Sequence, residues 1–221
     1  ATRPIDRKLP DYMNWDQIRE LRDAGVTIGS QTHTHLHMAA RGADASLADV
    51  EAANQRFIAE LDVVPSLFAY PYGEASAATM SVVRDAGFNF AFGQHSGVAD
   101  RTSPPLFLPR FAFNEAYGDD RRFRLVANAL PLPVRDISPH DPLLKQNPPA
   151  FGFTVDSKVD GIERLSCYHS QQGKARIEGL GSHRIEVRFK TPFKSGRSRL
   201  NCTLPGPENR WRWYGRQFYA P

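Results

Sequence analysis

Apolar residues along positions 14–130 alternate between helical spacing and short continuous runs. Trp15, Ile18 and Leu21 recur three residues apart and mark one face of a helix over 14–25. Its ends are explicit: Asn14 with Gln17 fits a capping box, Met13 with Ile18 a hydrophobic staple, and Gly25 the position just past the last turn. Residues 26–30 then read as a short buried strand that leads into a histidine-rich loop. Ser46, followed three residues later by Asp49, predicts the start of a second helix, with Leu47, Val50, Phe57 and Leu61 along one side and Pro65 beyond its end. A strand over 66–70 stops at Pro71, a helix over 76–86 closes at Gly87, and a strand covers 88–92. Residues 106–113 are strand-like, and a helix over 119–130 turns Phe123, Val126, Ala127 and Leu130 inward. Such alternation implies parallel strands with helices packed outside.

After residue 130 the pattern changes. Six of the 17 prolines fall between 131 and 149, as in a linker or a chain laid over a surface. Beyond them, 151–155, 162–168, 174–178, 184–189, 198–204 and 211–219 are short β-forming runs broken by glycine, proline or asparagine, the signature of a small all-β sandwich. In the last run Trp211 and Trp213 share one face of the strand and Arg212 and Tyr214 the other, so the tryptophans either fill the core or offer a surface to sugar rings. The charge changes in step: residues 1–150 carry a net −3 and residues 151–221 a net +7. Cys167 and Cys202, the two cysteines, both fall in predicted strands and are placed to bridge them, which would imply an oxidising compartment.

Composition narrows the classes. Hydrophobic residues make up 41% and charged residues 24%, and no apolar run reaches the roughly 20 residues of a membrane span. The first ten residues are polar and basic, without a leader pattern. Basic residues are spread along the β-segments with no reader motif, which argues against nucleic acid as a partner.

Two constellations carry chemistry. His33, His35 and His37 crowd the loop after the strand at 26–30, where parallel α/β units place active sites, and imidazoles at this spacing can meet one metal ion. The run Tyr70-Pro71-Tyr72-Gly73-Glu74 ends the next strand. Pro71 fixes one dihedral and Gly73 permits a sharp turn, so the backbone N–H of Tyr72 can point outward as an oxyanion donor.

Ile28-Gly29-Ser30, the histidine run and Tyr70-Pro71-Tyr72-Gly73 together resemble the polysaccharide deacetylase family, which shares the deacetylase homology domain of chitin and nodulation factor deacetylases. The resemblance covers about residues 10–135. It implies a partial (β/α) barrel-like α/β domain over 1–135, followed by a proline-rich linker at 136–149 and the β-sandwich module at 150–221. It also implies a hydrolase that removes acetyl groups from N-acetylated amino-sugar polysaccharide outside the cytoplasm, in the periplasm or secreted, with a divalent metal, zinc foremost. By the same resemblance the metal ligands come from His33, His35 and His37. One register, anchored on Gly29-Ser30, puts Gln31 and His35 at the ligand positions; the literal pattern puts His33 and His37 there. Tyr72 supplies the oxyanion N–H, Tyr70, Pro71 and Tyr72 meet substrate, and His95 and Arg110 are the candidates for general acid and carboxylate orienter, with His140 a further histidine for the acid role.

The sequence departs from the family in two respects besides the histidine register. Ala69 stands where much of the family has an arginine, and no Thr-Phe-Asp-Asp motif, the family's source of base and third metal ligand, precedes the first helix; Asp6 and Asp11 lie in no apolar strand. The expectation is the carboxyl-terminal portion of a longer enzyme that associates with a missing amino-terminal segment. The alternative is an inactive carbohydrate-binding or scaffolding homologue.

Overall fold

The computed structural model describes residues 12–221, so Asp6 and Asp11 lie outside the described residues. Helix α1 (Trp15–Asp23) forms as its end signals dictate: the Asn14 side chain accepts from the Gln17 N–H and the Gln17 side chain from the Asn14 N–H, both at 2.9 Å. Its buried Trp15 packs edge-on against Phe57, 5.7 Å away. Helix α2 (Met38–Leu61) begins at Met38 rather than at Ser46. Gly42, at φ 81°, kinks the first turn, and Ser46 sits inside the helix with its hydroxyl donating to the Gly42 carbonyl at 2.6 Å. Asp49 therefore caps nothing and is free to serve the histidine loop.

Strands β1 (Leu67–Ala69) and β2 (Phe90–Phe92) pair in parallel, joined through helix α3 (Ala77–Asp85). Ser30 bridges to Phe68 on one side and Leu108 to Phe92 on the other, one residue each. The sheet is thus two-stranded with a single bridge at either margin, and it neither curls nor closes, which overturns the barrel-like expectation. Local chemistry explains this. Val26 points into solvent instead of a core. Pro109, next to Leu108, has no N–H to extend that pairing. Helix α4 (Asp120–Ala127) is capped by the Asp119 carboxylate on the Arg122 N–H at 2.7 Å. It buries Val126 but leaves Phe123 exposed, contrary to the predicted inner face. The core of this half gathers Met38, Val50, Phe68, Tyr70, Val83 and Phe107.

The remaining strands form two sheets. The larger contains β3 (Leu130–Pro131), β6 (Ser166–His169), β7 (Gly173–Lys174), β10 (Gly196–Pro205) and β11 (Trp211–Ala220), in the order β3-β11-β10-β6-β7. The smaller contains β4 (Val134–Ser138), β5 (Phe151–Val155), β8 (Arg176–Leu180) and β9 (Arg184–Arg188), in the order β4-β5-β9-β8. The proline-rich stretch thus enters both sheets through β3 and β4, and because β3 runs parallel to β11 the larger sheet is mixed. Phe151, Phe153, Leu200, Leu204 and Phe218 fill the space between the sheets. Cys167 on β6 lies directly opposite Cys202 on β10, and the two are disulfide-bonded. On β11 it is Tyr214 that packs on this core, 5.2 Å from Phe153, while Trp211 is exposed and Trp213 sits edge-on to Phe111 at 5.1 Å. The tryptophans therefore do not fill the core.

Candidate functional site

The histidine loop is drawn tight by helix α2. The Asp49 carboxylate accepts from the Thr34 N–H at 3.1 Å, and the Asp49 carbonyl from the His33 N–H at 3.3 Å. These bonds hold Thr32 and His35 at φ 64° and 57°, a left-handed conformation that residues with a Cβ rarely adopt. Across from them the turn after β1 places Tyr72 at φ 57°. Three of the seven non-glycine residues with positive φ among the described residues thus meet at one place, and strained backbone of this kind clusters at functional sites.

The turn is braced from the far end of the chain. The Tyr72 carbonyl accepts from Arg197 on β10 and from the Gln217 side chain on β11, each at 3.1 Å. Gly73, at φ 70°, lies so close to the Gln94 backbone that a Cβ would come within 2.4 Å of its nitrogen, so no other residue fits. Gly73 and Glu74 donate their N–H groups to Tyr70 and Pro71 within the turn, and the Tyr72 N–H takes no part in that pair.

The rings of His37 and Tyr72 stack with centroids 3.9 Å apart and planes within 3°, and His35 meets Tyr72 edge-on at 4.6 Å. His37 donates from Nδ1 to the carboxylate of Glu74 at 2.8 Å, and that carboxylate is only 3% exposed. This fixes the His37 tautomer and leaves Nε2 for the open depression that also takes in Gln31, His33, Arg41 and Tyr219. Burial pushes the His35 imidazole below its usual pKa, and the neighbouring His37 adds to the shift while Glu74 opposes it. His35 is thereby biased toward its neutral form.

The expected zinc or other divalent cofactor is not supported. Among the described residues no group of three histidine, cysteine, aspartate or glutamate side chains is arranged to hold a metal ion. His33, His35 and His37 share the depression, but Nδ1 of His37 is taken by Glu74, and the rings of His35 and His37 pack against Tyr72.

The other predicted residues fall elsewhere. Tyr70 is fully buried between Phe68 and Phe107, its hydroxyl spent on the Leu106 carbonyl at 2.9 Å and its pKa pushed well up by burial. Pro71 is buried beside it. His95 is 3% exposed, lines a different cavity, and is held neutral, with a pKa pushed down to about 3 by burial and then by Arg216, Arg199 and Arg110. Arg110 donates from Nε to the Gly93 carbonyl at 2.6 Å, orienting a loop rather than a carboxylate. His140 is an exposed residue at the rim of the His95 cavity. Sequence reasoning gave no part to Glu74, although it ends the quoted motif, and it missed Arg197 and Gln217, which no local signal connects to Tyr72.

With this geometry in hand, comparison with known proteins is specific in sequence and shallow in structure. Residues 4–91 match the family described as polysaccharide deacetylase. No curated protein matches the chain. Similar solved structures include the Streptococcus pyogenes deacetylase PplD, in complex with acetate, at 16% identity and a TM-score of 0.45, covering 47% of this chain and 46% of that one. IcaB from Ammonifex degensii is 21% identical with a TM-score of 0.45, over 55% of this chain and 56% of that one. A de-N-acetylase from Aggregatibacter actinomycetemcomitans is 14% identical with a TM-score of 0.45, over 56% and 60% of the two chains. The match thus spans about half the length of each of these proteins. The similarity to the polysaccharide deacetylase family lies in residues 4–91, about two fifths of the chain.

Proposed function

We propose that this chain acts in removing acetyl groups from an N-acetylated amino-sugar polysaccharide, and that the depression around Tyr72 receives the acetamide. The observation that carries this reading is the braced, left-handed Tyr72 turn, with its carbonyl clamped from two strands and its ring against two imidazoles. The N–H of Tyr72 belongs to the peptide it shares with Pro71, whose carbonyl accepts from the Glu74 N–H at 3.1 Å. Held so inside the clamped turn, it stays aimed at one spot without reorganisation, as stabilising a developing oxyanion requires. His37, with Nδ1 on Glu74, offers Nε2 to a water. In the proposed step that water adds to the acetyl carbonyl carbon and gives its proton to His37. The carbon–nitrogen bond then breaks, and His37 returns the proton to the departing amine, leaving acetate and a free amino sugar. Glu74 stabilises the imidazolium in between. His95 and Arg110 have no part in this step. An oxidising setting such as the periplasm or the exterior fits a persistent Cys167–Cys202 bond. No helix among the described residues is long and apolar enough to cross a membrane.

The stacked His37–Tyr72 pair also favours a second reading, a platform that binds the polysaccharide without hydrolysing it. Acetate release from N-acetylglucosamine oligomers separates the two. The first reading expects release that falls roughly 10²–10⁴-fold in His37→Asn, and less steeply in Glu74→Gln. Oligomer binding by saturation-transfer NMR, lost in Tyr72→Ala and unaccompanied by acetate, would overturn the first reading in favour of the second. Absence of both binding and release would remove both.

A further inference from the structure

A second cavity, of about 250 Å³, lies between the loop after β2 and strands β4 and β11. At the ~30 Å³ that one water occupies in the liquid, it has room for roughly eight. Its deep wall holds three polar side-chain atoms that are buried without a hydrogen-bond partner: His95 Nδ1, the Tyr214 hydroxyl and Arg216 Nε. Native interiors leave few such atoms unsatisfied, and three on residues that line one cavity mark it as a place where water or a ligand completes the wall.

The one charged group buried in that wall is a cation, Arg216. Arg216 is 7% exposed and its guanidinium is held by the carbonyls of Pro139 and His140, with no carboxylate bonded to it among the described residues. The two acids that line the cavity are engaged elsewhere. Asp136 pairs with Arg135 at 2.9 Å, and Asp100 accepts from Thr102 and Ser103 in its own turn. Asp141 favours the Arg216 charge from a distance without bonding to it; burial of a cation with no anion in contact is costly, and a bound anion would lower that cost. The neutral groups beside it are suited to donate. Burial keeps the Tyr214 phenol protonated, with its pKa pushed up to about 12, and the neutral His95 carries one ring proton. Val98, Phe107, Leu132, Val134 and Ile137 give the wall an apolar side. The cavity reaches the surface at Thr102, Pro104 and Asp136, all exposed.

We propose that this cavity is a binding site for a small organic carboxylate, whose oxygens accept from Arg216, Tyr214 and His95 and whose hydrocarbon end lies against Val98, Phe107 and Leu132. The site is separate from the Tyr72 depression and does not depend on the function proposed for it.

Calorimetric titration of the protein with acetate, butyrate and butyramide tests the proposal. One butyrate should bind per chain, more tightly than acetate by roughly fourfold per added methylene, because each is taken out of water. Butyramide, the same shape without the charge, should bind at least tenfold more weakly. Arg216→Gln should weaken butyrate at least tenfold and Tyr214→Phe by roughly threefold to tenfold. Where Arg216→Gln fails to fold, Tyr214→Phe and the butyrate–butyramide ratio decide. No saturable binding of butyrate, equal binding of butyramide, or unchanged affinity in Tyr214→Phe would each overturn the assignment.

Discussion

The two stretches of the chain hold their shapes by different means. From β5 onward the backbone lies in long ladders: β10 and β11 pair over ten residues each, and a continuous aromatic core separates the sheets. The α/β stretch has strands of three residues, and its loops are held by side chains that grip backbone, as Asp49 grips the histidine loop and Tyr70 the Leu106 carbonyl. The difference explains where the strain sits. Three left-handed non-glycine residues can persist at the candidate site because the regular stretch supplies the clamp, Arg197 and Gln217, on the Tyr72 carbonyl. The irregular part carries the candidate site, and the regular part pins the Tyr72 turn within it.

The strongest way to break that comparison is to hollow the regular part. Phe153 is fully buried, with Phe151 at 5.9 Å and Tyr214 at 5.2 Å. Phe153→Ala should cost about 3–5 kcal/mol in urea unfolding and should also speed amide exchange at Gly73 in the distant turn. A large loss of stability with Gly73 exchange unchanged would mean that the turn holds itself.

Opening the Cys167–Cys202 bond acts on the same ladders through the unfolded state. Closing a loop over a separation of 35 residues contributes about 3–4 kcal/mol in the chain-entropy picture. The Cys167→Ala, Cys202→Ala double variant should therefore melt well below the oxidised protein, and reductant should lower the melting point of the parent alone. Equal melting of the oxidised parent and the double variant would show that the β10 ladders suffice without the bond.

Acid should sharpen the contrast. His95, at about 3, and His169, at about 4, are both held far below the usual histidine value, chiefly by burial, and His95 also by Arg216, Arg199 and Arg110. Because the folded pKa lies below the unfolded one, the unfolded chain takes up protons first. Their stabilisation is complete above pH ~6.5 and is lost as pH falls toward the folded values, at up to roughly 1.4 kcal/mol per pH unit for each histidine. Unfolding free energies between pH 7 and 4.5 should fall along this slope, and His169→Gln should flatten it by about half. A flat profile in the parent would remove both histidines as the cause.

What was legible in the sequence follows the range of the forces involved. Capping at Asn14, the glycine stop at Gly87 and the β-forming runs of β5, β9, β10 and β11 act over a few residues, and the elements they predict are there. The start of α2 was misplaced because Ser46 mimics a cap while Gly42 permits an earlier turn. The strands at 26–30 and 106–113 failed for lack of a partner ladder rather than lack of β-formers. At the site, His37 and Tyr72 were visible as residue types, but Glu74 could be placed only once the loop and the turn had met in space. Arg197 and Gln217 lie 125 and 145 residues away from Tyr72, beyond the reach of any local pattern.

The smallest effect tests the other side of the comparison. Asp49 touches the histidine loop through its carboxylate on the Thr34 N–H, and it has no part in the clamp on Tyr72. Asp49→Ala keeps the backbone carbonyl that His33 uses and deletes only the charged acceptor. A bond of this kind, partly open to water, contributes about 1–2 kcal/mol. The expected result is a loss of that size, with faster exchange at Thr34 and none at Gly73, whose N–H stays on Tyr70 at 2.8 Å. The His37–Tyr72 stack should loosen from one side only, since Glu74 still holds Nδ1. Exchange that quickens equally at Thr34 and Gly73 would show that loop and turn open as one unit, and that the grip of α2 reaches the turn as well as the loop.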